Sequence, residues 1–96
     1  MAAYVIVDVE VHDPDAYREY QRQVPDSLAP FGGRFIVRGG HAETLEGHWQ
    51  PQRVVVLEFP SADQAKAWHA SPAYQAIIPI RQRHATTKFL TLVEGV

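Results

Sequence analysis

Three side chains able to take up or release a proton sit where burial or a loop would tune them. Asp8 and Glu58 interrupt otherwise apolar runs, and His41 follows Gly39-Gly40. A carboxylate desolvated between strands has its pKa raised toward the range useful for general acid or base work. An unperturbed histidine titrates near neutral pH. His41, Asp8 and Glu58 are therefore the candidate catalytic residues. The structural alternative for the two acids is a set of inter-strand or inter-subunit ion pairs, because buried charges are generally paired.

A second group is suited to holding a ligand. Arg38, Glu46, Trp49 and Arg53 flank one irregular stretch, where loops gather polar groups at the rim of a sheet. The arginines can grip a carboxylate or enolate in bidentate fashion while Trp49 supplies an apolar wall. Structurally, Glu46 would pair with an arginine and Trp49 would anchor a long turn. Trp68, Tyr74 and Arg81 recur further on at spacings that can bring them to one side of a helical segment, where a tyrosine hydroxyl and a guanidinium would complete an anion pocket. The five histidines, at 12, 41, 48, 69 and 84, form no HxxxH pair and no short cluster with acids, so no metal site is expected. There is no GxSxG elbow, no Walker loop and no dinucleotide fingerprint, and no flavin or haem signature, so no cofactor is expected.

The elements that must position these residues are legible. From Ala3 to Val11, Val5, Val7, Val9 and Val11 share one parity and Tyr4, Ile6, Asp8 and Glu10 the other, the pattern of a strand. Asp13-Pro14-Asp15 places a cap acceptor, a first-turn proline and an acid at a helix start. The stripe Tyr17, Tyr20, Val24, Leu28, Phe31 follows, and Pro25 predicts a break or kink near Gln21 to Val24, hence two short helical pieces. Gly32-Gly33 ends the helix, Arg34 to Arg38 alternates as a second strand, and Arg53 to Phe59 reads as a third strand buried on both faces. Ser61-Ala62-Asp63-Gln64 has capping-box spacing, Ser71-Pro72 starts another helical piece carrying Tyr74, Ile77, Ile78 and Arg81 with a kink expected at Pro79, and Thr86 to Val93 is the last strand.

The order strand, helix, strand, strand, helix, strand predicts an α+β, ferredoxin-like βαββαβ fold: a four-stranded antiparallel sheet with helices on one face. The other face is then bare. Its expected residues are Ile6, Ile36, Val54, Val56, Leu90 and Leu92, or the opposite set if the helices cover that side. Either set is apolar, and a face of that extent marks an interaction site, most simply with a second copy in a homodimer.

Ninety-six residues, 46% of them hydrophobic, are expected to form a single domain spanning residues 1–96. Without cysteine there are no disulfides, and a domain this small gains stability from pairing. Nine basic and eleven acidic residues give a net charge of −2 with no basic stripe, which argues against nucleic acid. No signal segment and no membrane-spanning run appear, so the expected location is cytoplasmic.

The strings Phe31-Gly32-Gly33-Arg34-Phe35-Ile36-Val37-Arg38-Gly39-Gly40, Leu45-Glu46-Gly47-His48-Trp49, Glu58-Phe59-Pro60-Ser61 and Ser71-Pro72-Ala73-Tyr74 resemble an uncharacterised bacterial domain-of-unknown-function family, over nearly the whole chain. That family is placed among the dimeric α/β barrels. Other branches of the superfamily include antibiotic-biosynthesis monooxygenases, muconolactone isomerase-like proteins and stress-responsive barrel proteins. The resemblance implies the fold and the dimer, while one such scaffold hosts unrelated chemistries. Taken together, the residues predict a small-molecule-binding protein, with cofactor-independent isomerase, cyclase or monooxygenase-like chemistry on a compact anionic or aromatic metabolite. The rival expectation is a non-catalytic dimeric module for ligand sensing or protein interaction.

Overall fold

The computed structural model describes residues 1–96. The chain runs β1 (Ala3–Val11), α1 (Pro14–Leu28), a 3₁₀ turn (Ala29–Phe31), β2 (Arg34–Arg38), β3 (Val54–Phe59), α2 (Ala62–Ala70), α3 (Pro72–His84) and β4 (Ala85–Glu94). The strands form one antiparallel sheet in the order β2-β3-β1-β4, the ferredoxin-like arrangement, and the helices lie on one face. No helix is long and apolar enough to cross a membrane.

Local chemistry sets the boundaries. The Asp13 carboxylate accepts from the Ala16 amide, Ser61 Oγ from Gln64 and Ser71 Oγ from Tyr74, each satisfying an amide that the first helical turn leaves unpaired. Gly32, at φ 70°, closes the 3₁₀ turn, and Gly33 is needed for close approach, since a Cβ there would lie 2.6 Å from the Phe59 ring.

The two expected pieces of the first helix are instead one, Pro14–Leu28, which passes through Pro25. The proline removes one backbone hydrogen bond, but Tyr17 before it and Val24, Ser27 and Leu28 around it are all buried. Docking that continuous stripe offsets the local cost. Pro79 likewise sits inside an unbroken α3.

Val5, Val7 and Val9 of β1 face the helices and join Leu57, Phe59, Tyr17, Val24, Leu28, Trp68, Tyr74 and Ile77 in one core. The rings of Trp68 and Tyr74 are 4.0 Å apart and those of Phe59 and Trp68 5.4 Å. The buried indole N–H of Trp68 donates to Ser27 Oγ at 3.0 Å, whose own hydroxyl donates to the Val24 carbonyl. The polar atoms of this junction are thus paired inside the apolar layer.

Strand registry corrects the expected bare face. Val7 stands opposite Leu90 and Val5 opposite Leu92, so both leucines turn toward the helices, while Phe89, Thr91 and Val93 pair with Asp8, Ile6 and Tyr4 on the open face. Parity within β4 alone could not reveal this, because an even residue of β1 pairs with an odd one of β4. Ile6, Val54 and Val56 are on the open face as expected. In β2 a bulge puts Val37 opposite Val56, and Ile36 falls within the same irregularity. Both are exposed, at 39% and 44%.

The same bulge moves Arg38. It pairs with Val55, on the helix side, whereas Asp8 opposite Val54 and Glu58 opposite Tyr4 lie on the open face. The extra residue in β2 turns the arginine through the sheet and into the layer between sheet and helices, away from the two acids.

Candidate functional site

Arg81 is the anomaly of the core. It occupies a position on the buried stripe of α3 beside Tyr74, Ile77 and Ile78 and is only 7% exposed. A buried guanidinium normally has a carboxylate partner. None lies within 4 Å of Arg81, whose side chain makes a single hydrogen bond, from Nη1 to the Tyr74 hydroxyl at 2.8 Å, and its Nε is buried with no partner. Tyr74 in turn shares a 2.6 Å hydrogen bond with the Tyr20 hydroxyl of α1.

Around this group lies a cavity of about 40 Å³ between the helices and β1, β2 and β3. Its polar or cationic lining comes from Tyr17, Tyr20, Gln21, Arg38, Arg53, Tyr74 and Arg81, and its apolar walls include Phe35, Leu57 and Trp68. The space suits a few waters or the head of a ligand. It adjoins an open recess of about 420 Å³ over Gly39 and Gln52, and Val9, Tyr17, Gln21 and Arg53 line both. Gly39, at φ 74°, seats Arg53, since a Cβ there would fall 2.2 Å from Arg53 Nη1. Neither Arg38 nor Arg53 forms an ion pair, although the Arg38 guanidinium sits 4.2 Å from the centre of the Phe35 ring.

Three phenols share this space, and burial dominates their chemistry. Tyr17 is pushed up to about 12, chiefly by desolvation and then by Tyr20, with Arg53 and Arg81 pulling the other way. Desolvation and the Tyr74 hydroxyl raise Tyr20, and desolvation raises Tyr74 against the opposing charge of Arg81. All three stay protonated through the neutral range and act as hydrogen-bond donors. Because the native state holds these protons more tightly than the unfolded chain, their contribution to stability is complete below pH 10.0 and falls as pH rises through about 12 for Tyr17.

The residues singled out from the sequence divide between two faces. Arg38, Arg53, Trp68, Tyr74 and Arg81 converge on the cavity. His41 and Glu46 are exposed in the β2–β3 connection and line no cavity, and Glu46 forms none of the ion pairs that a structural role would predict. Trp49 lies on the open-face side, its ring 5.8 Å from that of Phe89 and its indole N–H donating to Asp8 at 2.9 Å. Glu58 is hydrogen-bonded by Arg34 Nε at 2.7 Å, which, as the largest influence, holds its carboxyl below the usual range, opposite to the raised value a desolvated acid would have. Tyr17 and Tyr20 read in the sequence as parts of an apolar stripe only. The available signal was the arginine standing on the complementary stripe of α3, which calls for hydroxyls opposite it.

Asp8 is 1% exposed, and its carboxylate accepts from Trp49 Nε1 and from the amides of Gln52 and Arg53, at 2.9, 2.9 and 3.2 Å. These bonds fasten the long β2–β3 connection to the sheet and set the start of β3, from which Arg53 reaches the cavity. Asp8→Ala leaves three donors without their acceptor and is expected to lower stability by about 3 kcal/mol. Urea unfolding measures this.

No three histidine, aspartate or glutamate side chains converge in a way that could hold a metal ion. The cavity instead offers cationic and hydroxyl donors around an apolar lining, an arrangement that can bind and orient an anion and supply protons to it.

The family described as "Domain of unknown function (DUF1330)" matches residues 2–96. No curated protein matches the sequence. Among solved structures, the chain is similar to RPA0582, a protein of unknown function from Rhodopseudomonas palustris, at 19% identity and TM-score 0.72 over 99% of this chain and 82% of that one. It is also similar to SnoaB, a cofactor-independent oxygenase from Streptomyces nogalater, at 13% identity and TM-score 0.68 over 99% and 93%. A dimeric ferredoxin-like protein of unknown function from a Jannaschia species aligns at 16% identity and TM-score 0.63 over 99% and 100%. At these identities the likeness carries the fold.

Proposed function

The chain belongs to the DUF1330 family, and we propose that it is a homodimeric binding protein for a small anionic metabolite, held between helices and sheet by Arg81. The buried guanidinium with no carboxylate partner and a free Nε carries this reading. Leaving a charge unpaired in a core is costly, and a ligand anion would supply the missing partner. The acid head fits the inner cavity and the body extends into the recess over Gly39. Homodimer formation is supported by the apolar open face and by the dimeric relatives of like fold.

Whether the bound anion is also transformed turns on the lining. It contains tyrosines and arginines but neither histidine nor carboxylate, so it is equipped to bind an anion and to donate protons, and lacks a base for abstracting one. Binding therefore stands ahead of catalysis. Cofactor-independent oxygenase or isomerase chemistry, supported by the fold shared with SnoaB, would use Tyr17, Tyr20 or Tyr74 as donors to a substrate that arrives ionised. His41, Asp8 and Glu58 have no part in this reading.

Calorimetric titration with benzoate as a probe tests the proposal. One site per chain is expected, with Kd on the order of 0.1 mM. Affinity should stay level between about pH 6 and 9, because burial keeps the site's phenols neutral throughout. Absence of binding, or a change in affinity centred on the histidine range near pH 6.5, would count against the cavity as the site.

A further inference from the structure

The unpartnered donors of the cavity are distributed unevenly, and their distribution restricts the ligand. Arg81 lines only the inner cavity, with Nε buried and free. Arg53 lines both the inner cavity and the outer recess and has no ion pair. Tyr17 also lines both. It is 4% exposed, and no side-chain hydrogen bond reaches its hydroxyl, which feels both arginines. Two guanidiniums without ion pairs and one hydroxyl without a side-chain partner thus line the inner cavity, and Arg53 and Tyr17 continue into the recess.

Nearby charges are already committed. Glu10, the one acid lining the recess, has Lys88 at 3.8 Å, and Arg18 has Asp15 at 3.3 Å. With Arg38 included, three arginines line the inner cavity against no acid. A monoanion engaging Arg81 leaves Arg53, in the lining of the same small cavity, unmatched. A dianion whose acidic groups are close together neutralises both.

We propose that the site takes a compact molecule with two acidic groups on neighbouring atoms, one on Arg81 in the inner cavity and one on Arg53 at its mouth, with the Tyr17 hydroxyl between them. This deepens the anion-binding reading and rests on it. Substrates of this class include vicinal dicarboxylates and ortho-substituted aromatic acids.

Three probes of similar body separate the possibilities: benzoate with one carboxylate, phthalate with two adjacent ones, and terephthalate with two at opposite ends. In calorimetry the wild type should bind phthalate about tenfold more tightly than benzoate, the value of one further charge-assisted contact, and terephthalate no more tightly than benzoate. Arg53→Gln should erase the phthalate preference, so that the variant binds phthalate no more tightly than it binds benzoate, and should weaken benzoate by less than Arg81→Met does. Arg81→Met should remove binding of all three. Thermal unfolding of each variant identifies any that fails to fold, and Arg53→Lys, which keeps the charge, should then recover part of the phthalate preference. Equal affinities for benzoate and phthalate, or terephthalate binding as tightly as phthalate, would overturn the dianion inference while leaving the anion site standing if Arg81→Met still abolishes binding. Probe binding indifferent to Arg81→Met would instead overturn the underlying reading.

Discussion

Arg81→Met is expected to make the protein more stable and unable to bind benzoate. The two effects have one cause. The guanidinium is buried with only the Tyr74 hydroxyl as partner, so a charge is desolvated without compensation. Methionine fills a similar volume, removes the charge and leaves the Tyr20–Tyr74 hydrogen bond able to persist. Replacing buried ionic groups with well-packed apolar ones stabilises proteins by about 1–4 kcal/mol. A gain of about 2 kcal/mol is expected here, which for a domain of this size raises Tm by roughly 10 °C. Benzoate affinity should fall by at least about thirtyfold, because the anion loses its charged donor in a site of low dielectric. Urea unfolding and calorimetry on the same preparation measure both. Loss of stability with binding retained would make Arg81 an ordinary structural residue. Opposite movement of stability and binding is what separates a residue kept for function from one kept for folding.

Ile6→Glu should dissociate the proposed dimer and leave the subunit folded. Ile6 lies on the open face opposite Val56 of β3 and Thr91 of β4, across the sheet from the helices. A two-fold pairing of that face buries two new carboxylates without partners, each costing several kcal/mol. The dimer dissociation constant should rise by more than about a thousandfold. Sedimentation equilibrium at micromolar concentration should give the dimer mass for the wild type and half of it for the variant, with unchanged far-ultraviolet circular dichroism. A variant that remains dimeric would move the interface elsewhere, and a monomeric wild type would require another cover for the apolar face.

Much of the fold was legible because it is written in local rules. The β1 and β2 limits follow from period-two alternation bounded by Asp13-Pro14 and by the glycine pairs, and the caps at Asp13, Ser61 and Ser71 are where the side-chain chemistry puts them. Errors arose where pairing between elements decides. The β2 bulge reverses Arg38, the β1–β4 register turns Leu90 and Leu92 inward, and tertiary burial carries α1 through Pro25. A single strand read alone has parity but no register.

The site divided on the same principle. Tyr74 and Arg81 could be grouped from helical spacing; Trp68 stands on α2, across the break at Ser71, and all three line one cavity with Arg38 and Arg53. Tyr17 and Tyr20 were hidden because a tyrosine on an apolar stripe looks like core, and only the facing helix reveals that their hydroxyls meet an arginine. Asp8 was recognisable as an unusual buried acid, but its three donors come from residues more than forty positions away. Nothing local distinguishes a carboxylate that fastens a loop from one that moves a proton.

Whether an anion completes the buried Arg81 site is tested by a crystal structure of the wild type grown with 4-bromobenzoate and measured at the bromine absorption edge. A carboxylate within hydrogen-bond distance of Arg81 is expected, between the helices and the sheet, with the bromine's anomalous peak in the recess over Gly39. A peak confined to the open sheet face or to the loop around Trp49, with Arg81 still unpartnered at saturating probe, would contradict it.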